Sequence, residues 1–344
     1  MSSKQSKIEE FDPNGIGLLD GNVFGLPFSF EESEVVILPA PWDLTSSFGR
    51  GSANAPSLIL SASRQVDLFL KSHPRAWESG FYMLDVPEEI LSKNNQLSSI
   101  ARELIRLLEA GETASSNSTI SKSLHTINLA CEEFRSWVFE QSGRLINSGK
   151  KVILVGGDHS CSLGFLQAVN AQDQPFGILQ IDAHADLRPA YQGFEQSHAS
   201  IMHNAMKLDQ VERLTQVGLR DLCEQEYDVI QSNAKIEAFF DENIQSHVNN
   251  GNSFADLSSE IIDSLPDRVY LSIDLDGLDP SLCPNTGTPV PGGLSYAQFN
   301  MLIKELEASG KEIVGMDLCE TGDGEFDANV SARILYRLCA LISS

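Results

Sequence analysis

The run F-G-I-L-Q-I-D-A-H-A-D at residues 176–186 decides the fold class and locates the chemistry. Its first part is β-forming, and its second part places Asp182, His184 and Asp186 at every second position. In extended backbone, side chains at i, i+2 and i+4 project to the same side. A second run, V-Y-L-S-I-D-L-D at residues 269–276, repeats the arrangement with Asp274 and Asp276. We therefore expect five ligands to converge where two strands end side by side. Solvated acidic residues at strand ends would explain either run alone, but not two runs in matched contexts.

Short apolar strands alternate with helical patterns from residue 34 onward. Continuous Val, Ile and Leu runs are typical of a parallel sheet that is covered on both faces. The alternation predicts a three-layer α/β/α sandwich with a mainly parallel sheet of about eight strands. The predicted strands are residues 35–38, 152–155, 177–182, 214–217, 235–239, 269–274 and 313–317, and the clearest predicted helices are 160–170, 296–308 and 328–341. Sites in such sheets lie beyond the carboxyl ends of the strands, which is where both acidic runs fall.

Two regions depart from this alternation. Residues 1–33 are rich in Gly, Ser and Phe and predict an irregular N-terminal arm. Residues 95–150 are polar and helical, apart from a loop at 114–118, and predict helices at the edge of the sheet or part of a subunit interface. The chain has no internal repeat and no linker that would divide it. We expect a single domain over residues 34–344, with a helical elaboration at about 95–150.

The composition excludes several classes of function. The formal net charge is −24 over 344 residues, and a basic patch for nucleic acid or an anionic membrane is therefore not expected. No apolar stretch approaches the ~20 residues of a membrane helix. Residues 1–13 resemble neither a secretory signal nor a transit peptide, and the six cysteines are widely spaced, as in reduced proteins. These features predict a soluble, cytoplasmic protein.

A third cluster completes the candidate site. The strand at 152–155 leads into G-G-D-H-S at 156–160, whose glycines allow a tight turn that leaves His159 at the strand end. A lone histidine in such a turn is more often structural, but beside the other two runs it supplies a sixth ligand.

The charge of the set indicates which ions it would hold. Four aspartates carry about −4 and two divalent ions +4, so the filled site is roughly neutral and suits a cationic electrophile. Two histidines with four carboxylates are too rich in oxygen for structural zinc. The set favours two Mn²⁺ ions, with Ni²⁺, Co²⁺ or Fe²⁺ as alternatives. Such a pair lowers the pKa of a bridging water and positions it as a nucleophile.

Together these runs resemble the ureohydrolases, the family of arginase, agmatinase and their relatives. The resemblance covers residues 35–340 and is carried by G-G-D-H-S at 156–160, I-D-A-H-A-D at 181–186, S-I-D-L-D-G-L-D-P at 272–280, T-G-T-P-V-P-G-G-L-S at 286–295 and G-M-D-L-C-E at 315–320. The segment P-W-D at 41–43 and the residues after it look like the agmatinase branch. The resemblance implies an arginase-like fold.

The resemblance also assigns roles to the ligands. One metal would be bound by His159 and Asp186, and the other by His184 and Asp276. Both metals would share two bridging carboxylates, those of Asp182 and Asp274. Two further carboxylates, Asp158 and Asp279, would orient these ligands, and turn or cap residues are an equal alternative for both.

Two more residues would face the substrate. Glu320 matches the glutamate that pairs with the guanidinium of the substrate, and His198 matches the histidine that carries a proton to the leaving amine. The implied reaction is attack of a metal-activated water on the guanidinium carbon, followed by proton delivery assisted by Asp186 and His198. The products are urea and an amine.

The continuation of the D-A-H-A-D run leaves the substrate open. Leu187 and Arg188 follow it, which differs from arginases and looks like agmatinases. If Arg188 points into the site, it would favour a carboxylate, as in guanidinobutyrate. If Arg188 is paired elsewhere, agmatine, which yields putrescine, is preferred. Agmatine ranks first, followed by guanidino acids such as guanidinopropionate and by guanidine, and then by formimidoylglutamate. Arginine is disfavoured.

One alternative to a ureohydrolase is not an enzyme, and another is an enzyme of a different type. A non-catalytic regulatory subunit would be expected to have lost a metal ligand, and all six are present. A deacetylase-type amidohydrolase would use one zinc, and the extra ligand in G-G-D-H-S argues against it. Because ureohydrolases assemble as trimers or hexamers, the resemblance implies a homotrimer or homohexamer.

Overall fold

The computed structural model describes residues 3–113, 115 and 117–343. Ala114 and Ser116, two residues of the predicted loop, lie outside the described residues. The strands form one parallel sheet in the order β2-β1-β3-β8-β7-β4-β5-β6. They are β1 (Val35–Ala40), β2 (Phe81–Met83), β3 (Lys151–Gly156), β4 (Phe176–Ile181), β5 (Val211–Leu219), β6 (Ile236–Phe240), β7 (Arg268–Asp274) and β8 (Glu312–Cys319).

The predicted parallel sheet is confirmed, and each of the seven predicted strands is present within a few residues of its predicted bounds. The eighth strand, β2, was not predicted. It follows Gly80, whose φ is +75°. Because it has only three residues, it is too short to show a strand period.

Helices cover both faces of the sheet, as a three-layer sandwich requires. Alternate residues of β1 show this, since Val35 and Ile37 belong to one apolar cluster and Val36 and Leu38 to the other. On the first face, α2 (Ala55–Ser63), α8 (Asp241–Asn249), α9 (Phe254–Asp263), α10 (Tyr296–Ala308) and α11 (Glu325–Ser343) contribute to the core. On the second face, α3 (Glu88–Glu109), α4 (Ser118–Asn147), α5 (Ser162–Asn170), α6 (Ile201–Ala205) and α7 (Glu224–Ser232) do so.

The two regions that were predicted to depart from the alternation of strands and helices contain regular helices. Within the N-terminal 33 residues, α1 (Lys4–Glu10) is helical, and Val23–Gly25 form a 3₁₀ turn whose residues are buried. Residues 95–150 contain most of α3 and all of α4. The ring of Phe134 in α4 stacks on Trp42 at 4.6 Å, which ties this region to the loop after β1. No helix in the described part of the chain is long and apolar enough to cross a membrane.

Four adjacent strands at the centre of the sheet, β3, β8, β7 and β4, lead at their carboxyl ends into the segments that carry the candidate residues. The turn after β3 passes so close to the loop after β1 that a Cβ atom on Gly157 would lie 1.8 Å from the carbonyl oxygen of Trp42. Only glycine fits there, and the turn sets His159 beneath the end of β8. After β3 the chain crosses from one half of the sheet to the other, where it forms β4. Such a crossing opens a crevice beyond the carboxyl ends of the strands.

Candidate metal centre and its cavity

The side chain of His159 meets three carboxylates that arrive from two other strands. Its Nδ1 atom lies 3.0 Å from Asp186 Oδ2, 3.1 Å from Asp182 Oδ2 and 3.4 Å from Asp274 Oδ2. All four side chains are buried. Asp186 adopts a positive φ of 55°, a costly conformation for this residue that places its carboxylate in the cluster.

The second histidine lies on the other side of Asp182. His184 Nδ1 is 3.1 Å from Asp276 Oδ2 and 3.6 Å from Asp182 Oδ1. The ligand atoms of His159, Asp182 and Asp274 lie within 4.8 Å of one another, and so do those of Asp182, His184 and Asp276. Asp182 belongs to both groups, with one oxygen toward each histidine, as a bridging carboxylate would.

The electrostatics of this cluster call for cations. Burial raises the pKa of Asp274 well above its usual value and, together with the charge of Asp182, raises the pKa of Asp186 to about 7. Burial opposes protonation of the two histidines, but the neighbouring carboxylates outweigh it and raise the pKa of His159 well above its usual value and that of His184 to about 12. Protons on the two imidazoles and on the carboxyls of Asp186 and Asp274 therefore offset part of the negative charge of the cluster. Divalent transition ions can replace those protons, because they bind histidine nitrogens and carboxylate oxygens. The residues present therefore fit two such ions.

A buried serine and aspartate hold His159 from behind. His159 Nε2 lies 2.8 Å from Ser272 Oγ, and the hydroxyl of Ser272 lies 3.0 and 3.1 Å from the two carboxylate oxygens of Asp317. Because the hydroxyl donates to Asp317, it can accept from Nε2–H of His159. In the neutral form of the ring, this contact makes Nδ1 the nitrogen that is available to a cation.

A chain of buried amides supports Asp182 in the same way. Gln180 Nε2 donates to Asp182 Oδ2, and Gln216 Nε2 donates to Gln180 Oε1, each at a distance of 2.6 Å. Both glutamines are fully buried within strands. The carboxylate of Asp182 is therefore held by hydrogen bonds that are independent of the histidines.

Glu320 follows the last residue of β8, and its side chain lies in the interior. Its Oε1 atom accepts from the backbone N–H of His159 at 3.1 Å, while Oε2 has no hydrogen-bond partner among the described residues. Burial, reinforced by Asp158, raises the pKa of this carboxyl well above its usual value. Its backbone φ is 59°. A buried acceptor without a donor is costly, so Oε2 is suited to an N–H donor of a ligand.

His198 begins the short helical segment before α6. Its backbone N–H donates to Thr45 Oγ1 at 3.0 Å, and the same hydroxyl donates to Asp158 Oδ2 at 2.8 Å. Burial, and then the charge of His184, lowers the pKa of His198 to about 4, so its imidazole is neutral near pH 7.

These groups open into a cavity of about 350 Å³. Its inner end is lined by His184, Asp186 and His198, and its apolar wall by Phe48, Leu222, Pro289 and Val290. A smaller recess beside it, which also contains His198, reaches Glu320. The outer end is charged and is lined by Arg188, Tyr191, Asp221 and Glu226.

Comparison with known proteins identifies this arrangement. The model of the arginase family matches residues 33–341. The chain belongs to the arginase family. It is 33% identical over 314 residues to the N(1)-aminopropylagmatine ureohydrolase of Thermus thermophilus, covering 91% of each chain, and 29% identical to the agmatinase of Pyrococcus horikoshii, covering 89% of this chain and 91% of the relative.

Solved structures of arginase-family proteins share the fold. The agmatine ureohydrolase of Thermoplasma volcanium matches with a TM-score of 0.67 at 23% identity, over 98% of this chain and 97% of its own. The arginase of Medicago truncatula matches with a TM-score of 0.67 at 23% identity, over 90% and 88%. The protein is thus an agmatinase-like ureohydrolase, a hydrolase of C–N bonds in linear amidines, from a family of binuclear metal enzymes.

In this arginase-family chain, the two carboxylates expected behind the ligands lie in different surroundings. Asp158 is buried, accepts from Ser160 N–H at 3.1 Å as a cap, and also accepts from Thr45. Asp279 accepts from Ser281 N–H at 2.8 Å. Within the described part of the chain, no hydrogen bond or ion pair joins Asp279 to the six candidate ligands. Its observed contacts are those of a turn residue.

From the sequence, Arg188 was expected either to face the site or to be paired elsewhere, and the structure shows both. It lines the cavity, and its Nε atom lies 3.4 Å from Glu226 Oε2. The sequence reasoning missed Glu226, Asp221, Ser272, Asp317 and the two glutamines. Polar residues at fully buried strand positions were the available signal for Ser272, Asp317, Gln180 and Gln216.

Proposed function

We propose that this enzyme hydrolyses agmatine to urea and putrescine. The observation that carries the proposal is the buried Oε2 atom of Glu320, which has no donor among the described residues. Glu320 lines a recess that shares His198 and Thr288 with the cavity. A guanidinium ion offers planar N–H donors with a positive charge, which is what such an acceptor requires.

The cavity beyond this point matches the rest of agmatine. Its wall of Phe48, Leu222, Pro289 and Val290 suits a run of methylene groups. At the outer end, Arg188 is paired with Glu226, whereas Asp221 has a largely exposed carboxylate. A distal ammonium group would thus find an acidic partner there.

The metal ligands proposed are His159, Asp186, Asp182 and Asp274 for one ion, and His184, Asp276 and the same bridging pair for the other. We propose Mn²⁺ for both positions, with Ni²⁺, Co²⁺ or Fe²⁺ as alternatives. When bound, two such ions lower the pKa of water and polarise the guanidine carbon.

The residues of the chain do the remaining work. Glu320 orients the guanidinium through its N–H groups, and the buried recess excludes bulk water from it. His198, in the wall of the cavity, is neutral near pH 7. Because burial disfavours its imidazolium form, a proton that His198 takes up is transferred readily to the more basic leaving amine.

A second candidate substrate is N(1)-aminopropylagmatine. It is supported by the Thermus relative of that name, at 33% identity, and by the opening of the cavity next to Asp221. Guanidinobutyrate, guanidinopropionate, guanidine and arginine are further alternatives, and formimidoylglutamate is another.

The test is a urea-release screen of Mn²⁺- and Ni²⁺-loaded protein against all of these guanidines. We expect the highest kcat/KM for a guanidine with a distal ammonium group. The Glu320→Gln variant should lose about 10²-fold or more in kcat/KM for every substrate, since it removes a charged partner of the guanidinium. Absence of urea from every compound would overturn the proposal.

We further propose that the chain acts as a cytoplasmic homotrimer or homohexamer that binds neither nucleic acid nor membranes. The strongly acidic composition supports the absence of these two partners. Light scattering coupled to size-exclusion chromatography measures the assembly, and a monomeric mass would contradict it.

A further inference from the structure

We infer that Glu226 selects the charge that the active site accepts at the far end of its substrate. It does so by neutralising Arg188, which leaves Asp221 as the group that receives a distal ammonium. This inference rests on the proposed guanidine hydrolysis and names Glu226 and Asp221 as residues that determine specificity.

Glu226 is a fixed group rather than a mobile surface acid. Its side chain is 5% exposed. Oε1 accepts from the backbone N–H of Leu187 at 3.1 Å, and Oε2 accepts from that of Cys223 at 3.0 Å, where Glu226 closes the capping box of α7. The first of these bonds attaches the carboxylate to the residue that precedes Arg188. The position of Glu226 is therefore set by backbone N–H groups from two segments, the loop after β4 and the N-terminus of α7.

Arg188 is held against this carboxylate. Its Nε atom lies 3.4 Å from Glu226 Oε2, and its guanidinium carbon lies 5.0 Å from the centre of the Tyr191 ring. The side chain is 35% exposed, so the cation still borders the cavity. Without Glu226, Arg188 would present an unbalanced positive charge to the substrate.

Asp221 supplies the opposite charge. Its backbone N–H donates to the carbonyl of Ala183 at 3.1 Å, which fixes it beside the end of β4. Its side chain is 69% exposed and lies 4.0 Å from His184 Nε2. Arg188, Glu226 and Asp221 together carry a net charge of −1, so the outer cavity favours a guanidine with a distal ammonium over one with a distal carboxylate.

The test compares kcat/KM for agmatine with kcat/KM for 4-guanidinobutyrate, which differ in the charge of the distal group. The Glu226→Gln variant should lower the agmatine-to-guanidinobutyrate ratio by about tenfold or more, because the outer cavity changes from −1 to neutral with a free cation. Asp221→Asn should also lower it. Arg188→Gln should leave the ratio unchanged or raise it.

The double variant distinguishes a charge effect from a structural one. If Glu226 acts through Arg188, the ratio for Arg188→Gln with Glu226→Gln should return to within about threefold of the unmodified protein. The inference would be overturned if Glu226→Gln lowered the ratio equally in the presence of Arg188 and in the Arg188→Gln variant. It would also be overturned if Glu226→Gln alone left the ratio unchanged. If Glu226→Gln does not fold, a lower ratio in Arg188→Gln, or an unchanged one in Asp221→Asn, overturns it.

A matched control exists at the amino ends of two central strands. Arg268 Nε and Glu312 Oε2 lie 3.1 Å apart at the first residues of β7 and β8, so Glu312→Gln removes the same type of ion pair and should leave the ratio unchanged. Calorimetric titration with 1,4-diaminobutane and 4-aminobutyrate tests the same preference without turnover. Tighter binding of the diamine, reversed by Glu226→Gln, supports the inference even if no guanidine yields urea. Equal binding of both contradicts it.

Discussion

The inner and outer halves of the cavity are built in different ways. In the inner half, buried carboxylates and histidines project from the ends of three strands, and hydrogen bonds from strand residues such as Ser272 and Gln180 hold them. In the outer half, Arg188 and Asp221 lie on loops, are partly exposed, and depend on Glu226 in α7 for their balance of charge. Changes in the inner half should therefore affect all guanidines equally, whereas changes in the outer half should affect the choice between them.

Removing the shared carboxylate should have the largest effect. In Asp182→Ala, both groups of ligands lose a member, so we expect fewer than two metal ions per chain and a loss of at least about 10³-fold in kcat for every substrate. Metal analysis and urea release measure this, with circular dichroism as a control for folding. Full activity with one metal bound would contradict the binuclear centre.

Chelation should destabilise the protein, and more so at higher pH. In the metal-free chain, the pKa of Asp186 rises from 3.8 unfolded to about 7 folded, and those of Asp274 and Glu320 also rise. The folded chain then binds more protons than the unfolded chain, so its stability falls as pH rises through about 4 to 7. The raised pKa values of His159 and His184 act in the same direction above about pH 6.5, whereas the lowered pKa of His198 opposes the trend between about pH 4 and 6.5.

Bound cations replace those protons, so the difference in Tm between metal-loaded and chelated protein should increase with pH and reach at least about 5 °C at pH 8. Thermal unfolding at pH 5 and pH 8 measures it. A difference that is equal at both values would show that the buried carboxylates are not what the metal compensates.

The support behind His159 should matter less than the ligands themselves. Ser272→Ala removes the acceptor at Nε2, so the ring is no longer held with Nδ1 free, and metal affinity should fall about 10- to 100-fold. Ser258→Ala is the matched control, since this buried serine donates to the carbonyl of Phe254 in α9 and lies outside the site. Equal metal affinities in the two variants would rule out the orienting role of Ser272.

The smallest effect is expected in the outer half. Tyr191→Leu removes the ring beneath the guanidinium of Arg188, and the agmatine-to-guanidinobutyrate ratio should change by about two- to fivefold. Tyr191→Phe keeps the ring and should behave like the unmodified protein. If Tyr191→Leu instead lowered kcat for both substrates equally, the division of the cavity into two independent halves would fail.

Much of the fold could be read from local pattern. Runs such as 35–38 and 152–155 are apolar over consecutive positions, which is typical of buried parallel strands, so the sheet and its carboxyl-end site followed from them. β2 and the short helix α6 could not be predicted because three to five residues are too few to establish a period. The helical nature of residues 95–150 was visible, whereas the stacking of Phe134 on Trp42 depends on residues far apart in the chain.

The sequence by itself determined the inner half of the cavity. The pattern of Asp182, His184 and Asp186 directly after β4 predicted that these side chains lie close together. Their actual convergence also needs the positive φ of Asp186, a turn that the strand period does not predict. Tertiary structure alone decided the outer half. Arg188 and Glu226 are 38 residues apart, and nothing in the spacing of the two fixes whether the cation is paired or free. Their pairing depends on the loop after β4 meeting the first turn of α7, because the effective charge of a side chain at the cavity depends on its neighbours in space.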